Sequence, residues 1–305
     1  MPSDPPAVTP GAAVGAQPGA RPRLQVLSGR VVPALTLGVL LVVLYWKIVL
    51  GMVVQWWDDP NYSHGFLVPV FSAYLVWRQR AVLRTLPWTG SVLGLPVILV
   101  GIGALLAGDL AADNFLMRSS LIVTLAGLAL FHLGTQVFRA VLPPMAFLFF
   151  MVPLPAVIFY AITFPLQRLA AQDAAAVLEF LGVPVLLDGN IIHLAQLSLG
   201  VTEACSGIRS LISLFAGTIA WGYMFFPTGW AMPALVAATV PITIAANAAR
   251  VVLTGLIGQY LGVEYASGFF HEFAGLVIYA VAFTGLLATH ALIRLVLRLL
   301  ARRRP

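Results

Sequence analysis

The chain has 305 residues, of which 60% are hydrophobic and only 9% charged, and its mean hydropathy is +0.96. A soluble domain carries about 25% charged residues, so the composition excludes a water-soluble globular fold and makes lipid the solvent for most of the chain. The net charge of +6 does not point to nucleic acid: Lys47 is the only lysine, and the arginines gather at the ends of apolar runs rather than on a polar face interleaved with aromatics.

Residues 1–30 are rich in Pro, Gly and Ala and close on Arg21, Arg23 and Arg30, a composition that reads as a disordered cytoplasmic tail. The first apolar run starts only after residue 30, too late for a cleaved signal peptide, and is long enough to remain as a signal anchor. A spanning helix needs about 20 mostly apolar residues. On that measure the spans fall at 31–54, 64–80, 91–109, 118–137, 140–162, 207–226, 230–258 and 270–297. The expected fold is therefore an all-α membrane protein, a polytopic bundle of about eight transmembrane helices over residues 31–298, with a short basic cytoplasmic tail at 299–305. The fifth span carries Pro143, Pro144, Pro153 and Pro155, which predicts a kink or a break. Residues 165–182 keep helical apolar spacing but are interrupted by Gln167, Arg168, Gln172, Asp173 and Glu179. That pattern predicts an amphipathic helix at the outer face, lying at the interface or against the bundle. After it, Asp188-Gly189-Asn190 reads as a turn, and the alternation in IIHLAQLSL as a short hairpin.

Positive charge sets the orientation. With the N-terminus in the cytoplasm, Arg21, Arg23, Arg30, Arg78, Arg80, Arg84, Arg139, Arg294, Arg298, Arg302, Arg303 and Arg304 all lie inside, which is 12 of the 17 basic residues. Both termini of this multi-pass protein are then cytoplasmic. Segments 55–63, 163–206 and 259–270 face outward, and Trp56 and Trp57 fit an outer aromatic belt.

On that outer side lie the groups with chemistry. Cys205, the only cysteine, sits in Glu203-Ala204-Cys205-Ser206-Gly207-Ile208-Arg209, just ahead of the sixth span. A helix N-terminus stabilises a thiolate and offers free N–H groups to an oxyanion. The same residue also fits a small buried thiol packed between helices. Arg250 lies within the seventh span, with Asn247 one turn deeper on the same face. An arginine in lipid marks a functional site by default, although it can also snorkel or pair with an acid. His271, followed by Glu272, opens the eighth span, where it is either a base or an ordinary interfacial residue. His64 is its rival, His193 a weaker one, and His132 and His290 fall on the wrong side. With a lone cysteine, scattered histidines and no glycine-rich phosphate loop, no metal or cofactor is expected.

These residues carry a resemblance. The stretches YSHGFLVP (62–69), MVPLP (151–155), GVPV and GN (182–190), EACSGIRSL (203–211), NAAR (247–250) and HEFAG (271–275) resemble, in order, the exosortases of the exosortase/archaeosortase family of membrane cysteine transpeptidases. The resemblance implies Cys205 as nucleophile, Arg250 as stabiliser of the oxyanion or substrate and His271 as general acid/base; Asn247, Ser206, Arg209 and His64 are candidates for a supporting role beside them. It also implies an inner-membrane enzyme that acts on the outer face. Its partners would be secreted proteins ending in a PEP-like motif, a membrane helix and a basic tail, passed on to an envelope polysaccharide or lipid acceptor. The extra C-terminal domain of some relatives is not expected here. Two other readings fit the same charges: a transporter with Arg250 and Asn247 on an anion path, or a non-catalytic scaffold for envelope polysaccharide assembly.

Overall fold

The structure is a computed structural model that describes residues 23–201, 208–226, 229–266 and 269–302. Residues 1–22 of the expected N-terminal tail and 303–305 of the basic tail lie outside the described residues. The chain divides into two compact units, Met1–Lys47 and Ile48–Pro305. Helix α1 runs over Arg23–Asp58, so it starts inside the segment expected to be disordered, and its apolar part is Leu35–Asp58.

From its end a 3-10 turn at Ser63–Phe66 leads into α2 (Leu67–Arg78) and the short α3 (Arg80–Thr85). The span expected at 64–80 is thus corrected. Gln79 breaks the helix, and the 12 residues of α2 are too few to cross a membrane. Next come α4 (Gly94–Leu110), 17 residues and also short of a full span, and α5 (Asn114–Leu133). Asp113 caps α5 through a 2.7 Å bond from Leu116 N–H, and Gly134, at φ +85°, ends it. The α4–α5 pair shows how lipid as solvent inverts the usual helix. Gly94, Gly101 and Gly108 recur every seventh residue and lie against α5, where Cβ atoms would strike Phe131, Thr124 and Met117. Leu95, Leu99, Ile102 and Leu106 face outward. Small residues buy close backbone approach where no hydrophobic force drives helices together.

Helix α6 (Thr135–Phe147) and a 3-10 turn at Leu148–Met151 lead to an unwound Val152–Pro155, and α7 (Ala156–Phe180) leaves at 78° to its predecessor. The kink or break expected within 140–162 therefore falls at Pro153 and Pro155, while Pro143 and Pro144 stay inside α6. The amphipathic helix expected at 165–182 is the second part of α7. Its apolar face (Ala170, Ala171, Ala174, Leu178) packs into a cluster with Val251 and Val252.

The hairpin is a three-stranded antiparallel sheet, β1 (Leu186–Asp188), β2 (Ile191–His193) and β3 (Ser198–Gly200). Gly189, at φ +61°, makes the two-residue turn that pairs Asp188 with Ile191, as a glycine-first hairpin requires. A second turn closed by Leu194 N–H to Leu197 C=O adds the strand that the alternation alone did not separate. The chain ends in α8 (Ile208–Phe225), α9 (Ala231–Tyr260), the short α10 (Val263–Ala266) and α11 (Phe269–Arg302). Leu214, Ala246, Ala282 and Leu286 knit α8, α9 and α11 together.

Among the described residues five helices are long and apolar enough to span a membrane, or six if the bent pair counts as one, rather than the eight expected. The all-α membrane class stands. The difference comes from α2, α4 and the proline break.

Candidate active site

Arg250 lies in α9 ten residues before its end at Tyr260, so about 15 Å along the axis at 1.5 Å per residue. Its guanidinium rests against the backbone of α11 at Gly275, where a Cβ would sit 3.4 Å from both Cζ and Nη2. A methyl group would just touch there, and anything larger would displace the arginine. Asn247, one turn away, is buried. Arg250 and Asn247 share a cavity with Ser210 of α8 and with Thr243, Gly275 and Tyr279. At about 10 Å³ it admits one water at most.

His271 stands in the first turn of α11, four residues before Gly275, a spacing that puts both on one helix face. Its side chain lies outside what the structure describes, as do Cys205 and Ser206 entirely. The nearest described residues after the cysteine are Ile208, which is buried, and Arg209, which is exposed on the first turn of α8 with its carbonyl accepting from Ser213 Oγ at 2.8 Å.

On the other side of the cysteine the chain is pinned. Asn190 Nδ2 donates to Val201 C=O at 2.9 Å, and Val201 N–H donates to Asn190 C=O at 2.8 Å. Val201 is buried in the α7–α9–sheet cluster beside Val251 and Val252, next to Arg250 in sequence. The turn residue Asn190 therefore fixes the strand end four positions before Cys205. Sequence reasoning took it only as a turn former, and the one available signal was its place in the GN pair.

His64 has a different task. Its Nε2 lies 3.1 Å from Phe150 C=O. Trp56 Nε1 donates to Met151 C=O at 2.8 Å, and Leu154 N–H donates to Tyr62 Oη at 3.2 Å. These three bonds satisfy backbone groups of Phe150, Met151 and Leu154, at and just before the unwinding. Gly65 belongs to the same knot, since a Cβ there would lie 2.5 Å from the Trp56 indole. Burial holds the His64 pKa below its usual 6.5, against the opposing pull of the Phe150 carbonyl. Of the other histidines, His290 accepts from Trp221 Nε1 at 3.2 Å, and His193 meets Ser198 Oγ at 2.8 Å in the sheet. Among the described residues no three His, Cys, Asp or Glu side chains are grouped to hold a metal ion.

No curated protein and no solved structure matches the chain. The family model described as transmembrane exosortase matches residues 56–288. That stretch runs from Trp56 of the knot, through the broken span, the sheet and the Arg250 cavity, into α11. The chain thus belongs to the transmembrane exosortase family.

Proposed function

We propose that this protein is a membrane-embedded cysteine peptidase and transpeptidase, with Cys205 as nucleophile, His271 as general acid/base and Arg250 as stabiliser of the developing oxyanion. The observation that carries the reading is the packing of Arg250 on Gly275, one turn from His271, in a cavity shared with Ser210 on the first turn of α8. It supports a convergence of the segments that hold the three groups, which lie far apart in sequence.

In this scheme Cys205 gives its proton to His271 and attacks the scissile carbonyl. Arg250 and N–H groups at the start of α8 hold the oxyanion. His271 returns the proton to the leaving amine as the C–N bond breaks, leaving a thioester on Cys205. An acceptor nucleophile or water then breaks the thioester and restores the thiol. The positive end of α11 favours a neutral His271, so proton transfer accompanies attack rather than preceding it.

The substrates in this reading are secreted proteins with a C-terminal PEP-like motif, a membrane helix and a basic tail. The helix docks laterally and the tail stays in the cytoplasm. The enzyme sits in the inner membrane with both termini inside and the cysteine facing outward. The test is co-expression of wild type and of Cys205→Ala and Cys205→Ser with a reporter bearing such a tail. Wild type shortens the reporter and carries a thioester adduct, and Cys205→Ala loses activity on the order of 10³-fold or more. Equal processing by all three would end the proposal.

A further inference from the structure

We infer that the chain holds one aminophospholipid, of the phosphatidylethanolamine class, in a two-part site between α1, α5 and α7. The inference does not depend on the chemistry proposed for Cys205.

The first part is a polar cup of about 490 Å³ at the ends of three elements: the C-terminal end of α1, the N-terminus of α5 and the N-terminus of α7. The second is an apolar groove of about 430 Å³, with Phe150, Leu211 and Phe215 on its walls. The two share Tyr62, Phe115, Leu154 and Phe159 on their walls, so a polar cup and an apolar groove adjoin. A polar end at helix termini that runs on into an apolar groove fits a ligand with a head and a chain.

The head is defined by charge. Arg118 of α5 lines the cup half-buried, and its Nη1 donates to the neutral Gln55 Oε1. Among the described residues no carboxylate pairs with it. The N-terminus of α7 has no side-chain cap, and Ala156 and Val157 of its first turn line the same cup. A cation and the positive end of a 25-residue helix together favour an anion such as a phosphate. Asp59 and Asp113 also line the cup, each with one carboxylate oxygen accepting a backbone N–H, from Asn61 and Leu116. Asn61, which lines the cup as well and is only 9% exposed, has its Oδ1 buried with no hydrogen-bond partner. A buried acceptor left unmatched costs about 1–3 kcal/mol, and it calls for a donor. A headgroup that presents phosphate to Arg118 and an ammonium to Asn61, Asp59 and Asp113 answers every one of these groups. Choline has no N–H to donate, and a glycerol headgroup has no cation.

The test uses the full chain in detergent with equal amounts of phosphatidylethanolamine, phosphatidylcholine and phosphatidylglycerol of identical acyl chains. Native mass spectrometry counts the lipid that survives stripping of the annular shell. Phosphatidylethanolamine should outlast each of the others about tenfold, the ratio that about 1.4 kcal/mol of selectivity gives. Arg118→Gln and Asn61→Leu should each reduce that ratio towards one at unchanged melting temperature. Should Arg118→Gln fail to fold, Asn61→Leu alone decides. Equal retention of the three lipids by wild type, or an unchanged preference in the variants, would overturn the site. Glycerophosphoethanolamine, the same head without chains, should compete poorly. Displacement of the lipid by it at equal concentration would mean a soluble ligand and would overturn the role of the groove. Reporter processing is a separate readout, so loss of lipid selectivity with processing intact leaves the proposed chemistry untouched, and the reverse holds as well.

Discussion

The knot around residues 150–154 and the cavity around Arg250 both place polar groups among apolar helices, and they use them in opposite ways. In the knot each polar side chain answers a backbone group: Trp56 to Met151, His64 to Phe150 and Tyr62 to Leu154. Gly65 lets the indole fill the space where a side chain would be. At the other region Arg250 and Asn247 border a void, and Gly275 keeps α11 thin enough for the guanidinium to lie on it. Polar groups that serve the fold are consumed by backbone. Arg250, the proposed oxyanion stabiliser, instead borders a cavity that admits one water at most. Substitutions in the cavity should therefore reduce turnover and leave the fold, while substitutions in the knot should do the reverse.

The largest effect is expected at Arg250. Arg250→Lys keeps a cation but loses the planar fork, and Arg250→Gln loses the charge. Each should reduce reporter processing by about 10²–10³-fold, the range for one oxyanion donor, with the melting temperature in detergent within a few degrees of wild type. Gly275→Leu, which pushes the guanidinium aside without touching its charge, should follow in the same direction with a smaller loss. If Arg250→Lys melts early and the surviving protein is fully active, the arginine belongs with the knot and the contrast fails.

Trp56→Phe sharpens the comparison from the other side. It keeps the ring and removes the N–H, leaving the Met151 carbonyl buried without its partner. The expected cost is about 1–3 kcal/mol of stability, read as a lower melting temperature, with activity per folded molecule unchanged. Gly65→Ala should act in the same direction, since its methyl group meets the indole.

How far the sequence foretold these regions depends on which force decided each one. The membrane class was legible because long apolar runs leave little else, and Arg250 drew notice because lipid makes charge rare and therefore conspicuous. The break at Pro153 and Pro155 was legible because proline removes a donor that the helix needs. Its partners were not legible: no local pattern tells Trp56 that its acceptor is 95 residues away. The merging of residues 156–180 into one helix was hidden because the polar interruptions from Gln167 onward read as a separate amphipathic helix, yet Gln167 is buried inside. The third strand was missed because the IIHLAQLSL alternation continues through the turn at Leu194–Leu197.

A middle-sized effect is expected at Asn190, which stands between the two categories. Its side chain answers backbone, as in the knot, but the backbone it answers leads into Cys205. Asn190→Asp keeps the shape and loses the Nδ2 donor to Val201. Stability should fall by about 0.5–1.5 kcal/mol, the net worth of one hydrogen bond. Processing and the rate of Cys205 alkylation should both change several-fold, a readout that a purely structural role would leave alone. Unchanged alkylation would assign Asn190 to the fold only.

The smallest effect concerns His64 and pH. Its pKa in the folded chain lies below 6.5, because burial disfavours the charged ring in a turn that lies outside the candidate spans. The unfolded state therefore binds more protons as pH falls through about 6.5, and stability must fall with it. Above that pH both states are neutral at this residue and its contribution is complete. The melting temperature of wild type should decline modestly as pH is lowered below about 6.5, and His64→Gln, whose amide can still donate to Phe150, should flatten that decline. Processing at neutral pH should survive the change. If His64→Gln abolished processing while the fold held, the proton carrier would be in the knot rather than at His271, and the division between structural and reactive polar groups would have to be redrawn around the broken span.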